Sequence, residues 1–343
     1  MEEMMKHTPL VCICIPSYNS ESTISDTLNS LISQTYKNII IKVMDNASTD
    51  GTADIVRSFI KDNPNIQLHI NEKNIGGEAN FSRCIQNGEG EFTAIFHADD
   101  VYHVEMIEKQ VETLNKFDVS AVMTNAAYID SEGNVIGHRL FPTELKGVGP
   151  FILDTSDMIK LLVRYGNFFV CPSCMGRTEI YKNSIKEWRG PMFSIAADLD
   201  VWLRFAGNGK LALMKEELIF YRRSTASYSY NLILNRTEVQ PIFKVIDYHM
   251  EKCRDSLSKS DMDYYEFLKF KDEVNVTINH ILKGSHNRSI NLGVLRPVIM
   301  KIGFSSKHHL KLYAVGVITS VLVRFKRLPQ FLRNMIIKQR CKA

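Results

Sequence analysis

The sequence predicts an α/β fold: a parallel or mostly parallel sheet with helices on both faces, followed by a helical, basic C-terminal region. Three observations carry this. Between residues 10 and 125, short apolar runs alternate with amphipathic stretches of helical period, at the spacing of βα units. The loops after the first, second and fourth runs are polar and should open on one sheet edge, where open α/β sheets bind ligands. Beyond about residue 230 the pattern turns helical. The last acidic residue is Glu273, and the segment after it carries thirteen Lys and Arg.

The elements follow in order. Residues 10–15 read as a buried strand bounded by Pro9 and Pro16, with Cys12 and Cys14 expected on opposite faces. Residues 16–19 form a loop, and helix follows over 22–33 with Ile24, Leu28 and Leu31 on one face. A second strand, 39–44, ends in Asp45 and a polar loop that runs into a helix over 53–61. A third strand covers 66–70, a glycine turn 74–77, and a helix 78–87. The fourth strand, 92–96, ends in Asp99 and Asp100. Helix 104–117 and a fifth strand, 119–125, complete the alternation. Ser131-Glu132-Gly133-Asn134 marks a hairpin turn. Residues 155–165 are helical and 167–177 irregular or extended. A helix over 195–207 carries Asp198 and Asp200 near its start. Residues 211–222 read as two strands around a Glu216-Glu217 loop. Four further helices are expected over 232–254, 261–283, 292–302 and 308–324.

Composition narrows the function classes. The chain has 343 residues, of which 45% are hydrophobic, enough for one large domain or two ordinary ones. No signal peptide is expected, and no apolar run approaches the roughly 20 residues of a membrane span. The seven cysteines are scattered and fit a reducing, cytosolic setting. Cys171 and Cys174 form a lone C-x-x-C without a second pair. A G-x-G-x-x-G after the first strand is missing, which disfavours a nicotinamide or flavin site, and the pattern of a P-loop NTPase is missing too. The Asp99-Asp100 pair at a strand end could hold a metal and a phosphate, or could cap the next helix.

Six blocks stand in order along the chain. They are Ile15-Pro16-Ser17-Tyr18-Asn19, Ser30 through Tyr36 (SLISQTY), Met44 through Thr52 (MDNASTDGT), Asn74-Ile75-Gly76-Gly77 with Asn80 and Gly90-Glu91-Phe92, His97-Ala98-Asp99-Asp100, and Ala197 through Arg204 (ADLDVWLR). In these blocks, over residues 9–230, the chain resembles family 2 glycosyltransferases. Their patterns are P-x-Y-N, S-x-x-x-Q-[ST]-[YF], D-[DN]-x-S-x-D-x-[ST], N-x-G…N…G-[ED]-[YF], D-x-D-D and E-D-x-x-L-W-x-R. The resemblance implies the GT-A fold, a Rossmann-like mixed sheet, and inverting transfer from a nucleotide-sugar donor, a UDP-sugar above all. It divides the chain into a catalytic domain, 1–230, with a nucleotide-sugar half over about 9–126 and an acceptor half over about 127–230. A helical region, 231–343, follows.

The resemblance also implies roles, each beside a plainer alternative. Pro16, Tyr18 and Asn19 would frame the base, where an ordinary turn would look the same. Asp45 would accept a hydrogen bond from a pyrimidine ring N–H, or cap the following turn. Gly76 would allow close backbone approach or positive φ, or simply make a plain turn, and Asn80 belongs to the same donor-binding block. Asp99 would contact ribose or metal and Asp100 the metal, Mg²⁺ or Mn²⁺, which would offset charge on the leaving diphosphate. Asp198 would be the general base that inversion needs, or else a helix N-terminal charge. Asp200 is the fallback base. Arg222 or Arg223 could aid diphosphate binding or be solvated surface residues. Trp202 is expected in the core and Arg204 as support.

The chain departs from the family's pattern at His97, Ala197 and Ser224, where an acid, an acid and a histidine commonly stand. His97 is expected to be structural or a weak contact. These departures motivate a second hypothesis, a catalytically degenerate scaffold that binds nucleotide sugar. A third, a nucleotidyltransferase, lacks the glycine-rich basic loop after the first strand. The acceptor implied is a saccharide or polyprenyl-linked saccharide of cell-surface polysaccharide assembly. The basic tail, with its apolar stretches 312–323 and 328–337, suits an interfacial helix on anionic lipid, making the protein peripheral on the inner face of the cell membrane. The alternative is a helix packed on the catalytic domain. No nucleic-acid-binding motif is present.

Overall fold

The computed structural model describes residues 8–223, 236–283 and 292–323. The chain forms two compact units. The first comprises residues 1–159 and 167–224, the second 160–166 and 225–343.

The first unit is built on one ten-stranded sheet. Its strands are β1 (Val11–Ser17), β2 (Ile39–Asp45), β3 (Ile66–Ile70), β4 (Phe92–Ile95), β5 (Val101–Tyr102), β6 (Ala121–Ile129), β7 (Val135–Arg139), β8 (Phe151–Leu153), β9 (Met175–Arg177) and β10 (Leu211–Arg222). Between them lie α1 (Ile24–Ile32), α2 (Thr52–Asp62), α3 (Gly77–Asn87), α4 (Met106–Lys116), α5 (Thr155–Tyr165) and α6 (Ala197–Gly207). The strand order is β3-β2-β1-β4-β9-β6-β10-β5, with β7 on β6 and β8 on β10. Strands β3, β2, β1 and β4 pair in parallel. Val11 through Ile15 are fully buried, as a strand covered on both faces requires. Complete burial of Ile13 or Ile15 contributes roughly 1.5–3 kcal/mol.

The sheet as a whole is mixed, as the resemblance implies, while the long strands of the first 129 residues run in one direction. β9 inserts antiparallel between β4 and β6, and β5, β7 and β8 are also antiparallel to their neighbours. Being antiparallel to the same strand, β4 and β6 run in one direction, and β10 joins β6 in parallel. The carboxyl ends of β1, β2, β4, β6 and β10 therefore share one edge. The residues just before β9 come to that edge as well.

Several boundaries differ from those expected. Pro16 and Ser17 belong to β1, opposite Met44 and Asp45. A proline at that place still offers its carbonyl to the ladder and lacks only a donor. The Glu216-Glu217 segment does not break the strand: β10 continues and absorbs the irregularity as register shifts against β6. Cys12 and Cys14 share one face, their sulfurs 3.8 Å apart, because side chains two apart on a strand point the same way. Gly176 of β9 meets α6 closely: a Cβ there would lie 2.4 Å from the Phe205 ring.

The second unit is helical. It takes in the last part of α5 and holds α7 (Ile242–Met250), α8 (Lys259–Lys283), α9 (Pro297–Gly303) and α10 (Lys307–Leu322). The helix expected over 232–254 is shorter: residues 236–240 precede it and 232–235 lie outside the described residues. Helix α9 begins only at Pro297, where proline's fixed φ suits a first helical turn. Phe267, Phe270, Val274, Ile299, Ile302 and Tyr313 form this unit's own core. The apolar stretch 328–337 lies outside the described residues.

Candidate active site

Parallel pairing of β1 and β2 sets Ser17 beside Asp45 and brings the two following loops together. Asp45 is buried, and its carboxylate accepts the Ser48 N–H at 2.9 Å and the Ser48 hydroxyl at 2.5 Å. Asn19 has φ 50° and knits the loops: its N–H donates to Ser48 Oγ, and its Oδ1 accepts the Thr49 N–H. Pro16 leads into this turn, and Tyr18 stands 47% exposed at its tip, free to lie along a planar ring. Gly76 precedes α3 with φ 87° and has open space where a Cβ would be, so backbone conformation alone calls for glycine. Asn80 is buried and committed inward: it donates to Met44 O at 2.8 Å and accepts from Asn71. Asn71 in turn donates to Asn46, and Asn46 to Asn74. Asn80 therefore holds the loops after β2 and β3 by a relay of amides.

The second group follows β4. Thr23 and Thr27 of the neighbouring α1 segment donate to the Ala98 and Asp100 carbonyls. Asp100 is fully buried. Its Oδ1 accepts the Arg222 N–H at 2.8 Å, while its Oδ2 is buried without a hydrogen-bond partner among the described residues, 3.8 Å from His97 Nδ1. His97 Nε2 is likewise buried without a partner among the described residues. Ligand atoms of His97, Asp99 and Asp100 lie within 4.8 Å of one another. Two orphaned polar atoms in a cluster of hard oxygens and an imidazole fit a divalent cation well, since burial without a partner is otherwise costly. Burial, then the charge of Asp99, pushes the Asp100 carboxyl well up, opposed by Arg222. Burial pushes the His97 imidazole down, against the pull of Asp99. His97 is thus grouped with the two acids.

Arg222 is buried beneath this pair. Its guanidinium donates to the carbonyls of Asp99, Asp130 and Ser131 and to the Asp26 carboxylate. It braces the turn that carries the acids, a task that leaves its donors engaged with protein. Arg223 instead lies 4.1 Å over the Tyr128 ring.

Asp198 arrives from another direction. Helix α6 ends at Gly207, and β10 starts at Leu211 on the opposite sheet edge, so the start of α6 lies toward the edge that carries Asp45 and Asp100. The Asp198 carboxylate accepts the Leu199 N–H at 2.6 Å. Burial raises its pKa to about 6, and the Leu199 bond pulls back part of the shift. Asp200, two positions on, is turned away by about 200° at 100° per residue. It is fully buried between Arg189 and Arg204, its Oδ2 2.9 Å from both Arg189 Nε and Arg204 Nη2. That pairing removes Asp200 as a fallback base. Trp202 is buried in the core, and Arg204 also holds the Ile185 and Glu187 carbonyls.

One residue stands near two of these groups. Ala94 of β4 faces Met175 of β9, so the residues before Met175 run on past the end of β4 beside 96–100. Cys171 lies there, partly exposed, and its thiol is pushed up by burial, then by Asp198, Cys174 and Asp100. Both carboxylates are within its electrostatic reach. Periodicity could not reveal this, because the position depends on which strand β9 pairs with.

Comparison with known proteins identifies the family and the fold. The Glycosyl transferase family 2 model matches residues 12–184, just over half of the chain. The chain is 27% identical over 235 residues to EpsE of Bacillus subtilis strain 168, covering 66% of this chain and 80% of that protein. It is 25% identical over 229 residues to the teichuronic acid biosynthesis glycosyltransferase TuaG of the same strain, covering 66% and 84%. Both names are provisional. Among solved structures, S. aureus TarS 1-349 in complex with UDP-GlcNAc matches with a TM-score of 0.54 at 13% identity, over 94% of this chain and 93% of that one. The mannosyltransferase PcManGT from Pyrobaculum calidifontis, in complex with GDP-Man and Mn²⁺, matches with a TM-score of 0.53 at 14% identity, over 93% and 89%. At such identity the structures speak for the fold, the GT-A arrangement of a mixed sheet between helices. With the family model matching from β1 through the segment after β9, the chain belongs to glycosyl transferase family 2.

Proposed function

We propose that this glycosyltransferase moves a sugar, with inversion, from a UDP-sugar to a saccharide or polyprenyl-linked saccharide in cell-surface polysaccharide synthesis. The observation that carries the reading is the convergence of three acidic positions, Asp45, Asp99–Asp100 and Asp198, on one sheet edge. The TuaG name supports the polymer class, and the UDP-GlcNAc complex of TarS supports the donor class.

Each group has a separate task. Tyr18 packs along the base, and Asp45, fixed by Ser48, accepts from the base's ring N–H. Asp99, Asp100 and His97 would hold Mg²⁺ or Mn²⁺, which when bound would offset negative charge on the departing diphosphate. Arg222 keeps the two acids in place. Asp198 takes the proton from the acceptor hydroxyl as that oxygen attacks the anomeric carbon from the face opposite the leaving group. A base with a pKa of about 6 is ionised at neutral pH, yet is a stronger proton acceptor than an ordinary Asp. The protein works as a peripheral protein on the inner face of the membrane, held by its basic C-terminal region.

The test is transfer from a panel of nucleotide sugars to membrane-extracted acceptors with Mn²⁺. UDP-sugar turnover is expected, with inverted configuration in the product and loss of about 10²–10⁴-fold in Asp198→Asn. Retained configuration, or undiminished turnover in that variant, would refute the assignment.

A further inference from the structure

Helix α10 is apolar on two sides. Its inner side, Tyr313, Gly316 and Thr319, is buried within the second unit, with Gly316 close against the Phe270 ring. Its outer side presents Leu310, Val315, Val317, Ile318 and Val321, each 38–58% exposed. From Leu312 to its end the helix holds no charged residue. A helix at a water-facing surface ordinarily puts polar residues on its outer side. A contiguous apolar face there marks a binding surface.

Charge identifies what covers it. Lys307 and Lys311 stand in the first turns of α10 and make no ion pair among the described residues. From residue 274 onward the sequence has thirteen basic residues and no acid. An apolar face with two lysines at its N-terminal end, neither in an ion pair among the described residues, is complementary to an anionic lipid surface. No helix among the described residues is long and apolar enough to cross a membrane, so α10 would lie in the interface plane.

We infer that the outer face of α10 inserts into the headgroup–acyl boundary of an anionic bilayer, with Lys307 and Lys311 on lipid phosphates. The inference rests on the peripheral-membrane reading above and goes further: the apolar side chains are required, and charge alone does not suffice.

The test is co-sedimentation of the full chain with phosphatidylcholine vesicles, with and without phosphatidylglycerol, comparing wild type with the double variant Ile318→Asp/Val321→Asp. Wild type is expected to bind the anionic vesicles and to stay partly bound in high salt. The variant is expected to bind at least about tenfold more weakly, with unchanged circular dichroism and unchanged transfer to a detergent-solubilised acceptor. A variant that binds as wild type does overturns the inference and leaves attachment to the basic tail. Absence of wild-type binding overturns both. A wild-type dimer in light scattering that the substitutions split, without vesicle binding, would show that a second copy covers the face.

Discussion

Replacing Asp198 by Asn should make the protein more stable while removing its activity. The carboxyl has a pKa of about 6 in the fold, against 3.8 for an ordinary aspartate. A group whose folded pKa is raised supports the fold below its unfolded value and loses that support as pH rises through the folded value. At pH 8 the ionised Asp198 therefore weighs against folding by roughly two pKa units, or about 3 kcal/mol. At pH 5 the same linkage gives about half as much. Asn cannot ionise, and its Oδ1 can still accept the Leu199 N–H. Urea denaturation of both proteins without metal or donor should show Asp198→Asn more stable by up to about 3 kcal/mol at pH 8, and by a clearly smaller margin at pH 5. No gain at pH 8, or an equal gain at both, would refute the burial argument. Wild-type kcat/KM should fall as pH drops below about 6, as the base becomes protonated.

The other expectations concern neighbours of this group. Asp200→Asn removes the charge between Arg189 and Arg204 and should cost about 3 kcal/mol of stability; the folded fraction, assayed at low temperature, should keep most of its kcat. Asp45→Ala frees Ser48 from two hydrogen bonds, and calorimetry should show UDP binding weakened about tenfold or more. Arg222→Met withdraws the brace under Asp99 and Asp100, so metal affinity should fall although Arg222 is not itself a ligand; unchanged Mn²⁺ affinity would count against a positioning role. Gly76→Ala should cost about 1 kcal/mol by thermal denaturation, because φ 87° strains any residue with a Cβ.

Some of this was legible in the chain, for physical reasons. The first four βα units appear because each strand is an apolar run set between polar loops, and α1 shows its buried side at Ile24, Leu28 and Leu31. The acids Asp45, Asp99 and Asp100 stand where strands end, a place sequence can mark. β9 was not legible: Met175-Gly176-Arg177 has no period, and pairing with β4 and β6 makes it a strand. Its insertion also brings Cys171 to the site. Asn80 and Arg222 read as ligand contacts by motif, yet their partners, Met44 and Asp130 among them, are 36 and 92 residues away. Asp198 and Asp200 look alike in sequence; helix rotation and two arginines separate them.

In the proposed mechanism Asp99 and Asp100, with His97, would hold a cation that the donor needs. Calorimetric titration of UDP-sugars into wild type and Asp100→Asn, each with and without Mn²⁺, tests it most directly. Wild type should bind a UDP-sugar markedly more tightly with Mn²⁺ than without, and Asp100→Asn should lose that difference. Equal affinity of wild type in both conditions, or an undiminished Mn²⁺ effect in Asp100→Asn, would contradict it.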